Sequence, residues 1–159
     1  MKQYIGTKVV TAEPAFKMGG KVRTGPIPNG IAHEPGYRVI YPDGYESFSP
    51  KEAFERAYLP INVNENLTGG GPSIGQKMVD DFIAETHVMT LGEKTTVVRA
   101  VLRNGFEIVE ASACVSKENY SEDMGRDICM EKIKDKVWML LGFILQTGVN
   151  GIEGPAAEK

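Results

Sequence analysis

The fold turns on "KTTVVRAVLRNGFEIVEASACV", residues 94–115. Two runs rich in β-branched residues flank Asn104-Gly105, a dipeptide that accepts positive φ and is the strongest short hairpin signal. Residues 95–103 alternate loosely, with Val97, Arg99, Val101 and Arg103 on one parity and Thr96, Val98, Ala100 and Leu102 on the other. Upstream, "HVMTL" reads as a third strand joined by the turn "GEK". Before it, "SIGQKMVDDFIAETH" reads as a helix with Met78, Phe82 and Ile83 on one side and Ser73 as a candidate cap. After the hairpin, Ser116 to Tyr120 form a short connection, and Ser121 with Glu122 and Asp123 opens a long final helix. Helix, three-stranded antiparallel meander, helix: the fold class is α+β.

In that final helix, "MGRDICMEKIKDKVWMLLGFIL" (124–145), a period of about 100° per residue aligns Cys129, Met130, Ile133, Val137, Leu140, Leu141 and Ile144. Arg126 projects onto the middle of this apolar stripe. Two accounts fit. The guanidinium snorkels or pairs with Glu122 or Asp123, or it faces a pocket where an anionic ligand supplies the countercharge, since guanidinium binds phosphate in a bidentate way.

The preceding segment is a small β-rich module with one short helix. "YIGTKVVTAEPA" reads as a strand ended by Pro14, and "MGGKVRTGPIPNGIAHEPG" as loop throughout. "YRVIYPDGYESF" gives two strands about Pro42-Asp43-Gly44, where fixed φ, Asx bonding and a permitted positive φ coincide. "SPKEAFERAY" gives a short helix with Ser49 as cap, Pro50 at its first position, Glu52 completing a capping box, and Ala53, Phe54 and Tyr58 as its apolar face. The glycine-rich "INVNENLTGGGPSI" (61–74) reads as a linker. The expected organisation is therefore an accessory module at 1–60, a linker at 61–74, an α+β domain at 75–148 and a flexible tail at 149–159.

The 159 residues carry a net charge of −3 and an ordinary apolar content of 42%. This disfavours binding to nucleic acid duplexes, whose phosphates demand a basic face. No run approaches the roughly 18 apolar residues of a membrane span. Cys114 and Cys129 lack metal-ligand spacing and read as reduced thiols of a cytoplasmic protein. His33 and His87 sit in different segments, with no nucleophile marked beside either. "TGGGPSIGQK" lacks the spacing of a phosphate loop. These readings predict a protein that is not an enzyme and needs no cofactor or metal. Any anion site must be a local cluster, and the candidates are Arg99, Arg103, Arg126, Lys132 and Lys134, with Asn104 and Phe106 on the hairpin as partners for a base.

Over residues 75–146 the chain resembles the phage gene product 49/66 family. The resemblance is carried by Asn104-Gly105-Phe106, Glu110-x-Ser112-x-Cys114-Val115, Asn119-Tyr120, Gly125-Arg126 and Lys136-Val137-Trp138. "KVVTAEP" and "GYRVIYPDGYESFSPKEAFERAY" resemble a small accessory domain that recurs at the ends of unrelated phage proteins. The gene product 49/66 family includes the first-described Thoeris anti-defence proteins. These are sponges that bind glyco-cyclic ADP-ribose, or cyclic di- and trinucleotides, without cleaving them. The resemblance implies a homo-oligomer, a dimer or a hexamer, acting in the host cytoplasm. It places Arg126 on the ligand. Family members often carry a second Arg one turn later, where this chain has Met130. A structural or adaptor protein acting only through assembly is the alternative.

Overall fold

The computed structural model describes residues 1–61, 64 and 67–154. Asn62, Val63, Glu65 and Asn66 of the expected linker, and residues 155–159 of the expected tail, lie outside the described residues. The chain divides into two units: Met1–Pro60 with Thr147–Lys159, and Ile61–Gln146.

In the first unit, β1 (Thr11–Met18), β2 (Lys21–Arg23), β3 (Glu34–Ile40) and β4 (Glu46–Pro50) form an antiparallel sheet in the order β2-β1-β3-β4. Helix α1 (Lys51–Ala57) follows directly. Pro14 does not end the first strand; it pairs with Tyr37 inside β1. β2 reaches only as far as Phe16, so the missing N–H of Pro14 falls where β1 has no second neighbour. The Gly/Pro-rich stretch also holds a strand. Gly19 and Gly20 both take positive φ, as a tight two-residue hairpin demands, and return the chain as β2. The turn at Pro42-Asp43-Gly44 forms as read, with the Asp43 carboxylate accepting the Tyr45 N–H at 3.0 Å.

The capping box does not form. Ser49 is paired with Tyr37 in the sheet, Pro50 is the cap residue, and no side chain caps α1. Phe54 instead packs α1 on the sheet by stacking on Tyr37 at 4.2 Å and on Tyr58 at 4.7 Å. Ala15, Phe16 and Val39 form the buried core.

In the second unit, α2 (Gln76–Phe82) runs straight into a three-stranded meander of β5 (Ile83–Leu91), β6 (Thr95–Leu102) and β7 (Glu107–Ala113). A 3₁₀ turn at Lys117–Asn119 and helix α3 (Glu122–Asn150) follow. The α+β class and the element order are as read from the sequence.

The expected helix at 73–87 is cut to seven residues and begins after Gly75, with no side-chain cap from Ser73. Ile83, Glu85, Thr86 and His87 pair with β6, with a register shift at Ala84, since ladder bonds along a strand outweigh weak helical preference. β6 alternates strictly, with Thr96, Val98, Ala100 and Leu102 inward. The hairpin at Asn104-Gly105 spans three residues. Only Gly105 has positive φ, and the Leu102 N–H donates to the Phe106 carbonyl at 2.8 Å.

Helix α3 is capped as read, with the Met124 N–H donating to Ser121 Oγ at 3.3 Å. It runs to Asn150, two residues into the expected tail, and its residues from Thr147 on group with the first unit. There the Val9 N–H donates to the Gly148 carbonyl at 3.2 Å. Of the expected linker, Ile61, Asn64 and residues 67–74 group with the second unit, and Asn64 Nδ2 donates to the Ile74 carbonyl at 3.0 Å. No helix among the described residues is long and apolar enough to cross a membrane.

Candidate functional site: the start and flank of helix α3

The buried positions of α3 are Gly125, Cys129, Ile133, Val137 and Leu141, a strict four-residue spacing. Each step of four advances about 40° around the helix, so the buried line winds as the helix crosses the sheet. Because the line winds, its centre near the N-terminus is Gly125 and not Arg126. Arg126 stands on the rim with its side chain 43% exposed. The buried place expected for Arg126 is taken by its neighbour Gly125.

That glycine sits against β6. A Cβ at residue 125 would lie 2.2 Å from Thr96 Oγ1 and 2.6 Å from Thr96 Cβ. Thr96 is fully buried and bonds Tyr120 Oη at 3.0 Å. Tyr120 Oη bonds Thr90 Oγ1 at 2.6 Å, and Thr90 donates to the Glu122 carboxylate at 2.5 Å. Glu122 accepts only, so one direction satisfies every hydroxyl: Thr96 donates to Tyr120, Tyr120 to Thr90, and Thr90 to Glu122. This chain ties the start of α3 to β5 and β6 without leaving a buried hydroxyl unpaired.

Arg126 is neutralised within its own helix. Its Nη1 donates to Asp123 at 2.8 Å, and Nε and Nη2 donate to Asp127 at 3.1 and 2.9 Å. The hydrogen bond from Asp127, followed by the charges of Asp127 and Asp123, raises the guanidinium pKa further. Met130 is half-buried one turn on, followed at the same spacing by Lys134 and Trp138, also half-buried. These four side chains share one flank of α3, spread over about 18 Å of helix. On the opposite flank, Lys132 Nζ donates to the Ala111 carbonyl at 3.3 Å and Lys136 pairs with Glu110.

Lys134 pairs with Asp80 of α2 at 2.8 Å. That hydrogen bond is the main cause holding the Asp80 carboxyl below its ordinary value, against a smaller opposing effect of burial. A depressed carboxylate contributes stability above its unfolded pKa of about 3.9 and loses it as pH falls through the folded value. In a carboxyl-carbon NMR titration, Lys134→Met raises the Asp80 pKa toward that ordinary value and removes this part of the acid-limb stability. An unchanged Asp80 titration refutes the pairing.

The remaining candidates do not join this flank. Arg99 lies on the sheet face opposite to Thr96 and the α3 contact, and its guanidinium is held on Glu107 at 2.8 and 2.5 Å. That bond raises the Arg99 pKa and lowers that of Glu107. Arg103, Asn104 and Phe106 sit on the hairpin beyond Leu102, whereas Gly125 packs at Thr96. At about 3.3 Å per residue the two ends of β6 stand some 20 Å apart, so the hairpin and Arg126 do not share one pocket in a single chain. The Asn104 side chain accepts the Phe106 N–H at 3.1 Å, and the Phe106 ring is 55% exposed. Arg103 is exposed and makes no ion pair among the described residues.

A pocket beside the start of α3, lined among others by Lys94, Thr96, Cys114, Tyr120 and Gly125, has a volume of about 80 Å³. Small-molecule sites run from roughly 300 Å³ upward. A nucleotide-sized ligand therefore needs walls that this pocket does not supply.

Sequence reasoning offered Asp123 as a partner of Arg126, which it is at 2.8 Å, but missed Trp138, Asp80 and Asp127 as neighbours of the site. Counting in fours from Arg126 would have found Trp138. Only the packing of α2 against α3 reveals Asp80.

A two-unit α+β chain, with a cation-bearing helix flank beside a meander, is the class this geometry defines. Within it, residues 74–149 match the phage protein (N4 Gp49/phage Sf6 gene 66) family. The matched segment takes in α2, the meander and nearly all of α3. No curated protein matches the chain, and no solved structure does.

Proposed function

We propose that this phage protein captures an anionic cyclic nucleotide signal of the glyco-cyclic ADP-ribose kind and holds it uncleaved, in an assembly of copies of itself. The observation that carries this reading is the row Arg126, Met130, Lys134 and Trp138, which sets a guanidinium, an ammonium and an indole along one helix flank. Arg126 spends three of its five N–H donors on Asp123 and Asp127, leaving two for a phosphate. An indole face offers stacking to a base. The family resemblance supports the same class of ligand, including cyclic di- and trinucleotides. In this reading a second copy of the chain supplies the walls around the row. Met130 replaces a second arginine, so Lys134 is the other cation for a pyrophosphate.

A specific observation favours a second reading. Three carboxylates (Asp80, Asp123 and Asp127) already neutralise Arg126 and Lys134. In that reading the flank is an assembly surface of a structural or adaptor protein.

The test mixes purified protein with glyco-cyclic ADP-ribose, removes free ligand, and heats the protein to release what it held. The expected result is depletion followed by recovery of intact ligand, with a nanomolar dissociation constant worth about −12 kcal/mol. Arg126→Ala removes charge-assisted bonds worth about 1.5–3 kcal/mol and weakens capture roughly 10- to 100-fold, while native mass spectrometry shows the same assembly. Recovery of a cleaved product overturns the claim that the protein does no chemistry. Absence of depletion, with an assembly that changes on Arg126→Ala, establishes the adaptor reading instead.

A further inference from the structure

We propose that the sheet of the first unit carries a groove for single-stranded nucleic acid, with one base on the Phe48 ring and the phosphates of the strand along the β1–β2 hairpin. The site goes beyond the proposed function. Its residues all belong to the first unit, and its ligand is a strand and not a cyclic signal.

Directly opposed residues of an antiparallel ladder point to the same face. Glu13, Arg38 and Phe48 are opposed across β1, β3 and β4, as are Ala15 with Gly36 and Lys17 with Val22. Helix α1 packs on the other face, where Phe54 stacks on Tyr37. Gly36 leaves room on the Phe48 side: two atoms of the Phe48 ring lie 2.6 and 2.7 Å from where a Cβ would stand. The ring therefore rests against the backbone of β3. It forms one wall of a groove of about 510 Å³, lined also by Val22, Arg23, Thr24, Arg38 and Glu46. That is the size of a small-molecule site, roughly 300–1,000 Å³.

The two sides of the groove differ in chemistry. On the β3–β4 side, Arg38 donates from Nε and Nη2 to Glu46 at 2.9 and 2.8 Å, and from Nη1 to Glu13 at 2.9 Å. The guanidinium is thus held in one plane with two N–H groups left to donate, beside a carboxylate that can still accept. A base matches this wall, with its face for the ring and its edge of donors and acceptors for Arg38 and Glu46. On the β2 side the charge is uncompensated. From Pro14 to His33 the chain carries Lys17, Lys21 and Arg23 and no Asp or Glu. All three cations are exposed, and none makes an ion pair among the described residues.

Residues 1–60 carry eight Lys and Arg against six Asp and Glu, whereas residues 61–146 carry nine against thirteen. The acidic total conceals a basic unit, and phosphate binding asks for a basic face rather than a basic total. Three cations along one hairpin exceed the need of a single phosphate, so they suit a strand. A duplex keeps its base faces in the stack, so the ring selects single strands.

The test follows the fluorescence anisotropy of a labelled ten-thymidine strand with the full chain at up to about 100 µM, in salt from about 50 to 200 mM. The strand is expected to bind. The same backbone without its bases, and the duplex with the complementary strand, are each expected to bind at least about tenfold more weakly. Phe48→Leu keeps an apolar cover over Gly36 but loses the ring, and weakens binding about tenfold without changing the salt slope. Arg23→Gln lowers the slope of log affinity against log salt by about 0.7, the share of one phosphate on a single strand. Arg56→Gln, in the helix on the other face, changes neither. Circular dichroism monitors each fold, and if Phe48→Leu unfolds, the base-free strand and Arg23→Gln decide. No binding at the upper concentration overturns the proposal, and so does equal binding of the base-free strand. Displacement by polyglutamate at equal charge assigns the groove to acidic peptides and overturns it too, as displacement by thymidine monophosphate at equal phosphate does in favour of free nucleotides. Glyco-cyclic ADP-ribose is absent throughout, so a failure here is distinct from a failure to capture that signal.

Discussion

Gly125→Ala lowers the stability of the second unit by about 3 kcal/mol, at the upper end of what overpacking costs. The reason is a single contact. The new Cβ would fall 2.2 Å from Thr96 Oγ1 and 2.6 Å from Thr96 Cβ, distances that real methyl groups do not reach. Thr96 has no room to retreat, being fully buried and tied through Tyr120 to Thr90. The helix must therefore lift from β6, loosening Cys129 and Ile133 below it on the buried line. In calorimetry the expected shift is roughly 10–20 °C for a unit of this size. Adding Thr96→Ala relieves the closest contact but not the Cβ contact, so the double variant recovers only part of the loss. A Gly125→Ala protein that melts with the wild type would mean that α3 does not approach β6 as described.

Gly36→Ala has an effect of similar size in the first unit, and its cause is still less avoidable. A Cβ there would lie 2.3 Å from the Ser49 carbonyl oxygen and 2.6 Å from the Phe48 ring. The ring can swing away, but the carbonyl belongs to the strand paired with β3, where Gly36 faces Pro50 and Tyr37 faces Ser49. The backbone must move, and the β3–β4 pairing opens at the point where the chain turns into α1. The cost is expected at about 3 kcal/mol or more. Amide exchange read segment by segment should show faster exchange in β3, β4 and α1 than in β6. Equal protection of β3 and β4 in variant and wild type would rule out this packing.

The first of these positions recasts the Gly-Arg pair that the sequence brings forward at 125–126. The glycine seats the helix on the sheet. The arginine beside it is left on the rim, partly exposed and partly occupied by Asp123 and Asp127.

What the sequence determined by itself was local. The loop at Asn104-Gly105, the turn at Asp43-Gly44 and the Ser121 cap all rest on bonds within a few residues, so the residue types suffice to specify them. So does the α+β order, because alternation in β6 and helical spacing in α3 are written along single segments.

Tertiary structure decided the rest. Pro14 stays in a strand because its neighbour stops short, residues 83–87 leave a helix because β6 offers a ladder, and Ser49 gives up its cap to pair with Tyr37. The candidate cations divide for the same reason. Arg99 and Arg126 lie on opposite sides of the sheet, and the hairpin lies a strand's length from the start of α3. Charge and residue type are properties of a position in the chain. Whether two positions meet depends on which face each strand presents and how far the helix winds across it, and those are settled only when the elements pack.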